Sequence, residues 1–266
     1  MINGALFQRE MKRSVKLLVL LAAVMSMYIV VIIGLYDPHM TAMLDDFVLA
    51  MPELMAAVGM RAGTNSLLDF MISYLYGFIL LLFPMLFSIL RGNALIARYV
   101  DNCSMVTLLA APVKRRTIAL TQAAVLISGI LLLVGYATVL ELACAAISFP
   151  GEINPAELFR LNGGLLCLHL FISGICFLAS CACSDVRYSI GFGAGIPTLM
   201  VVLQMLANVG GAAEKAKYFT FFTLFDPAGV AAGTGAAVAG ACVLLAGFVA
   251  LYALAVTVFC RKDLHI

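Results

Sequence analysis

The sequence is short of charge: aspartate, glutamate, lysine and arginine make up 11% of its 266 residues, with 16 basic and 14 acidic side chains. An ordinary soluble domain carries about 25% charged residues. Tryptophan is absent, and there are only three histidines. So few polar groups could not cover the surface of a soluble globule of this size. The composition therefore excludes a soluble enzyme, a disordered chain and a nucleic-acid binder.

Several catalytic signatures are absent as well. No G-x-x-x-x-G-K-[ST] phosphate loop occurs, so the chain does not hydrolyse ATP by that route. No H-E-x-x-H motif occurs, and the three histidines lie far apart in sequence, which argues against a metalloprotease. Cys176, Cys181 and Cys183 have no second cysteine pair or histidine close by, so we expect no metal site and no cofactor in this chain.

What the chain has in abundance is apolar runs. Its mean hydropathy is +1.09, and 64% of its residues are hydrophobic. A helix needs about 20 apolar residues to cross a bilayer. Six charge-free stretches are long enough, and we place spans at residues 17–35, 70–90, 118–140, 161–184, 188–211 and 236–260. The prediction is an all-α membrane protein with one transmembrane domain.

The few charges are distributed unevenly between the predicted loops. With the N-terminus inside, one side carries 12 of the 16 basic residues: Arg9, Lys12, Arg13, Lys16, Arg91, Arg98, Lys114, Arg115, Arg116, Arg187, Arg261 and Lys262. Net charge is then 12 − 4 = +8 inside and 4 − 9 = −5 outside. Basic loops remain in the cytoplasm, so both termini are predicted to be cytoplasmic.

Two segments outside the spans have a pattern of their own. Residues 1–16 mix apolar and basic side chains at helical spacing, which predicts an amphipathic helix in the inner interface, or simply a basic anchor for the first span. Residues 218–227 contain four phenylalanines, which suggests a re-entrant or interfacial hairpin on the outer side, between the fifth and sixth spans.

The inner loop at residues 91–117 is too polar to span a membrane and too patterned to be a linker. Apolar residues at helical spacing predict a helix, or a pair of helices, that ends before Pro112. One interpretation is an amphipathic helix that rests on the inner leaflet. The other is a docking surface for a soluble partner, and the residues alone favour neither.

A few polar side chains and a proline interrupt the apolar spans. Pro84 is expected to kink the second span, while Gln204 and Asn208 lie one turn apart on the fifth. These two amides either face a cavity or hydrogen-bond between helices. Glu141 lies about 36 Å along the third helix at ~1.5 Å per residue, which predicts a structural role in the outer headgroup zone.

Four short motifs carry a resemblance to a known family. They are residues 93–98 (NALIAR), 107–109 (TLL) and 112–115 (PVKR) in the inner loop, and 261–264 (RKDL) at the C-terminus. With six spans and an inside N-terminus, the chain resembles the permease subunits of ABC-2 type transporters. The family's acidic residues in this loop correspond here to Tyr99 and Asp101, and its Gly-Thr pair to Cys103 and Ser104.

The resemblance implies a partner and a division of labour. A cytoplasmic coupling helix between the second and third spans would dock into a separate ATP-binding cassette subunit through Arg98, Tyr99, Asp101, Asn102, Ser104 and Met105. ATP and Mg would be bound by that partner. Two ATPase copies and two permease copies would form the transporter. A homodimer of this chain is favoured over a heterodimer with a different permease. The substrate path would follow the second and fifth spans, with Phe83, Pro84, Gln204 and Asn208 as candidates.

The expected function is therefore transport, with no enzymatic activity in this chain. Apolar spans with scattered polar residues suit export of a hydrophobic or amphipathic substrate such as a peptide, a toxin or a drug. The expected location is the cell membrane, as a multi-pass protein of the bacterial cytoplasmic membrane. A stand-alone secondary carrier, and a polytopic membrane protein without transport activity, are the alternatives.

Overall fold

The computed structural model of the protein describes residues 2–36, 48–60, 66–110 and 113–262. Pro112 and the C-terminal Asp263 and Leu264 of the family-like motifs lie outside these residues. The described elements are α1 (Gly4–Gly34), α2 (Pro52–Ala57), α3 (Leu67–Met71), a π-helical turn (Ile72–Tyr76), α4 (Ile79–Leu95), α5 (Ala97–Asp101), α6 (Met105–Ala110), α7 (Arg115–Ser148), α8 (Pro155–Ala182), α9 (Val186–Val209), two 3₁₀ segments (Gly211–Phe219 and Phe221–Leu224), α10 (Pro227–Ala232) and α11 (Gly235–Arg261).

Six helical segments are long and apolar enough to cross a membrane, as the sequence predicts. They are Gly4–Gly34, Leu67–Asp101, Arg115–Ser148, Pro155–Ala182, Val186–Val209 and Gly235–Arg261. The described residues contain no strand. The chain is thus an all-helical protein of the multi-pass membrane type, and the second segment, built from α3, the π-helical turn, α4 and α5, is the one with breaks.

The first helix differs from its prediction. We expected a separate interfacial helix up to residue 16, followed by a span from residue 17. Instead α1 runs without a break from Gly4 to Gly34, because Ala, Leu, Met, Lys and Arg are all good helix formers and no Gly or Pro interrupts them. Asn3 caps its first turn by accepting a hydrogen bond of 3.1 Å from the Leu6 amide.

Contacts between distant residues define the two ends of the bundle. The backbone N–H of Asn3 donates to Thr121 Oγ1 at 2.9 Å, and the Arg115 guanidinium donates to the Lys262 carbonyl oxygen at 2.8 Å. The starts of α1 and α7 and the end of α11 therefore share one end, which we call the basic end. At the opposite end the Tyr36 ring lies 5.5 Å from Phe70 and 5.1 Å from Phe149. This alternation is what six consecutive crossings require.

The most buried of the six segments is α8, which packs against α4, α7, α9 and α11. His169 on α8 is fully buried, with its Nε2 2.9 Å from the Leu80 carbonyl oxygen. Ser173 and Tyr252 join α8 to α11 through a hydroxyl pair 2.9 Å apart. By contrast α9 is the least buried segment and leaves most of its apolar side chains exposed, as lipid-facing helices do.

The second segment breaks at Phe78 and Ile96 rather than at its proline. Phe78 has φ −144° and ψ −53°, and Ile96 has φ −124° and ψ −58°. Between them α4 continues through Pro84, which is buried. The expected pair of inner-loop helices follows as α5 and α6, joined at Cys103, whose φ of 52° lies in the left-handed region.

Candidate functional site

A cleft of about 250 Å³ lies between the π-helical turn, α9 and the second 3₁₀ segment. Two of the sequence-predicted path residues, Gln204 and Asn208, line it together. Thr223 adds a hydroxyl group, Asp226 adds a carboxylate, and Tyr76 and Phe222 add aromatic rings. The cleft therefore offers a mixed surface of amides, a hydroxyl, a carboxylate and rings, which can hold an amphipathic molecule.

Three polar side chains of the cleft, Gln204, Asn208 and Thr223, are hydrogen-bonded to one another. Gln204 Nε2 donates to Asn208 Oδ1 at 2.9 Å, and Thr223 Oγ1 donates to Gln204 Oε1 at 3.3 Å. Thr223 also donates to the Lys217 carbonyl oxygen at 2.7 Å. The two amides thus face the cleft, and Gln204 also links α9 to the second 3₁₀ segment.

The rim of the cleft carries an exposed ion pair next to that threonine contact. Lys217 Nζ lies 2.6 Å from Glu214 Oε1 within the first 3₁₀ segment. The hydrogen bond and charge of Lys217 lower the pKa of the Glu214 carboxyl. Because both side chains are in solvent, the pair adds little to stability and holds Lys217 locally.

Tyr76 owes its position to an irregular stretch of backbone. It is the last residue of the π-helical turn, a local irregularity that occurs frequently at functional sites. The next residue, Gly77, lies directly against Gly59, where an added Cβ would come within 2.9 Å of the Gly77 Cα. Gly59 has φ +82°, a conformation that glycine adopts without strain. The two glycines let the chain after α2 close this wall of the cleft.

Phe83 and Pro84, the other two predicted path residues, do not line this cleft. Phe83 is half-buried, and its ring centroid lies 6.1 Å from that of Tyr28 on α1. Pro84 is buried within α4. Leu81, nearer the start of α4, does line the cleft, so only the first turn of that helix contributes to its wall.

Glu141, the acid of the third membrane-length segment, lies inside the bundle. Its side chain is fully buried between helices, with 0% of its surface exposed. Tyr76 Oη and Asn162 Nδ2 each donate to Glu141 Oε2 at 2.8 Å. The carboxyl therefore lies behind the cleft wall, joined to it by Tyr76.

The six predicted coupling residues divide into two groups. Arg98, Asp101 and Asn102 are exposed, and Ser104 is partly exposed. The other two are buried against the bundle: Tyr99 is 8% exposed and Met105 is 0% exposed. A partner could therefore reach the charged and amide side chains, while Tyr99 and Met105 hold the segment in place.

Tyr99 belongs to a buried polar cluster at the basic end, which we call the Glu10 cluster (Glu10, Arg13, Arg91 and Tyr99). Glu10 is 1% exposed and accepts at Oε1 from Tyr99 Oη at 2.5 Å and from Arg13 at 3.1 Å. At Oε2 it accepts from Arg91 at 3.3 Å. Arg13 also donates to Tyr99 Oη at 2.8 Å. The cluster ties α1, α4 and α5 together.

Helix α4 runs from the cleft to α5 (Ala97–Asp101). Its first turn carries Leu81 on the cleft wall, and its end carries Arg91 of the Glu10 cluster. Asn93 near the same end accepts a short hydrogen bond from Ser189 on α9, the opposite wall of the cleft.

Sequence patterns alone did not identify several residues of these sites. Glu10 was visible only as a single acid among basic residues, and Arg91 as one cation of many. Tyr76 and Asn162 gave no signal, because each lies in an apolar run without a partner nearby in sequence. Contacts between residues 65 and 21 positions apart in sequence define their roles.

No protein-family model matches the sequence, and no curated protein matches it. The function is therefore inferred from the residues and contacts described above.

Proposed function

We propose that the chain is the permease subunit of an ABC-2 type transporter and works with a separate ATP-binding cassette subunit. The observation that carries the proposal is the way α5 and α6 are seated. Exposed Arg98, Asp101 and Asn102 stand on a segment whose Tyr99 is bonded to buried Glu10. A docking element needs such a combination of accessible charge and firm support.

The proposed cycle uses helix α4 as the connecting element. ATP binding draws two ATPase subunits together, and each pushes on α5 of its permease. The Glu10 cluster makes α1, α4 and α5 move as one unit, because parting a buried ion pair costs about 3–5 kcal/mol. Leu81 at the start of α4 then shifts the cleft wall. The chain itself supplies no catalytic group and no cofactor.

The proposed cargo is a hydrophobic or amphipathic molecule such as a peptide, a toxin or a drug, and the proposed direction is export. Phe222 and Tyr76 offer rings, while Gln204 and Asn208 offer amide groups that need not be desolvated completely. In this proposal two copies of the chain face each other in the bacterial cytoplasmic membrane, with the basic end in the cytoplasm.

The test is affinity purification of the full-length chain from native membranes in a mild detergent. The expected result is stoichiometric recovery of a protein that carries a phosphate-loop motif and hydrolyses ATP. Arg98→Glu combined with Asp101→Arg should reduce its recovery at least tenfold, because both side chains are exposed and lie in the docking segment.

The matched control is Arg116→Glu, which reverses an exposed charge at the same end of the bundle but outside α5 and α6. This variant should recover the partner at the wild-type level. Recovery of no such ATPase, or undiminished recovery with the double variant, would contradict the proposal.

A stand-alone secondary carrier is the second candidate, because Glu141 is an acid buried within a helix of membrane length. Intramembrane acids are the groups that ion-coupled carriers use. Reconstitution of the chain alone in liposomes distinguishes the two candidates. Substrate movement driven by a pH gradient without any ATPase would favour the carrier.

A further inference from the structure

Glu141 on α7 and Asn162 on α8 are hydrogen-bonded to each other, yet each keeps one buried oxygen unpaired among the described residues. Asn162 Nδ2 donates to Glu141 Oε2 at 2.8 Å, and the same oxygen accepts from Tyr76. The other oxygen of each group, Glu141 Oε1 and Asn162 Oδ1, is buried and has no hydrogen-bond partner in the described part of the chain. Two acceptors of adjacent, interacting groups are therefore both without a donor.

The orientation of the Asn162 amide is fixed by a second contact. Its Nδ2 also donates to the Leu158 carbonyl oxygen at 3.3 Å. Since both partners of this atom are acceptors, it is the nitrogen that lies against them, and Oδ1 is the atom left without a partner. Rotating the amide would place its oxygen against two other oxygens and would increase the number of unpaired acceptors.

We infer that Glu141 is a proton-binding site: it holds a proton on Oε1, the carboxyl oxygen that accepts no hydrogen bond. A protonated Oε1 is a donor, and the neighbouring Asn162 side chain has a buried acceptor, Oδ1, that lacks one. The neutral acid also avoids the large cost of a buried carboxylate that has no cation beside it.

The charged surroundings of Glu141 agree with a neutral acid. No ion pair among the described residues includes it. Tyr76, from the π-helical turn, is the titratable group that hydrogen-bonds to it, and the Cys144 thiol lies one turn further along α7. Among the described residues, the charged side chains at this end of the packed elements are exposed or partly exposed and do not bond to it: Asp69, Glu152, Glu157, Arg160 and Asp226.

Tyr76 gives this proton a route to the cleft. Its side chain lines the cleft and is 1% exposed, and its hydroxyl is bonded to Glu141. While Tyr76 stays in place the acid is sealed from water. Movement of the π-helical turn would bring water to the carboxyl and allow it to ionise. The site thus makes the state of the cleft wall dependent on pH, whatever energy source drives transport.

Infrared difference spectroscopy of the purified full-length chain in lipid nanodiscs tests the inference. At neutral pH exposed carboxylates are ionised, so a carbonyl stretch of a protonated carboxylic acid has few possible sources. We expect such a band in the wild type and its loss in Glu141→Gln. Asn162→Ala should shift the band, because the carboxyl loses the hydrogen bond that Asn162 Nδ2 donates to Oε2.

The matched control is Glu157→Gln, which alters a partly exposed acid at the start of α8 and should leave the band unchanged. Isotope labelling covers the case in which Glu141→Gln does not fold. The wild-type band should move with ¹³C-carboxyl-labelled glutamate and not with labelled aspartate. Absence of a glutamic-acid band, or a band that Asn162→Ala leaves in place, would overturn the inference.

Discussion

The hydroxyl of Tyr99 donates a 2.5 Å hydrogen bond to the carboxylate of Glu10, which lies 89 residues earlier in the chain. This bond joins the segment proposed to meet a partner to the first helix of the bundle. Arg91 binds the second oxygen of the same carboxylate. Glu10 is therefore the point at which α1, α4 and α5 are held together.

Tyr99→Phe should loosen this attachment without changing the exposed docking surface. It removes a buried hydrogen bond to a charged group, which costs about 1.5–3 kcal/mol. We expect a lower free energy of unfolding in detergent and weaker stimulation of the partner's ATPase by substrate. Tyr188→Phe is the control, because Tyr188 is 67% exposed and should tolerate the change. Equal stability of the two variants would contradict the role assigned to the Tyr99 hydroxyl.

The sidedness of the bundle can be tested with cysteine chemistry. Cys103 is exposed at the turn between α5 and α6, so a membrane-impermeant maleimide should label it in inside-out vesicles and not in right-side-out vesicles. Lys215→Cys in the first 3₁₀ segment, in a chain whose eight native cysteines are all replaced by serine, should give the opposite result. Labelling of both positions from the same side would refute the predicted orientation.

Two glycines on α7 should respond in opposite ways to the same substitution. A Cβ on Gly129 would overlap the buried Phe87 ring, whereas a Cβ on Gly135 would meet nothing within 4 Å. Gly129→Ala should therefore destabilise the protein by about 1–3 kcal/mol through overpacking. Gly135→Ala should be neutral or stabilise it by up to about 1 kcal/mol, because alanine favours the helix. Thermal unfolding in one detergent compares the two variants directly.

Loss of the cleft amides should affect substrate and leave the fold intact. Gln204→Leu and Asn208→Leu remove polar groups from the cleft, so transport or substrate binding should fall about tenfold, as the loss of about 1.4 kcal/mol implies. Thermal stability should change little, since neither side chain is fully buried.

Leu206→Ala on the same helix is the control for that experiment. Leu206 is 49% exposed and does not line the cleft. It should keep transport at the wild-type level. Equal losses in all three variants would indicate damage to α9 as a whole rather than to a substrate site.

The sequence by itself determined the class of protein, because length and hydropathy of a segment are local properties. The six membrane-length helices occur where the apolar runs predicted them, and a pair of short helices follows Ile96 as expected. The position of Gln204 and Asn208 on one face of α9 follows from the same kind of local property, because residues four apart share one face of a helix. The continuity of α1 through Lys16 was missed, because a change in polarity does not by itself end a helix.

Only the tertiary structure decided which polar residues act together. Glu10 with Tyr99, and Glu141 with Asn162 and Tyr76, are brought together from separate helices. In an apolar bundle a polar group must find its partner within the protein, and the partner depends on helix packing rather than on spacing in sequence. The sequence therefore showed how little charge the chain has, while the packing determined what each buried charge or hydrogen-bonding group does.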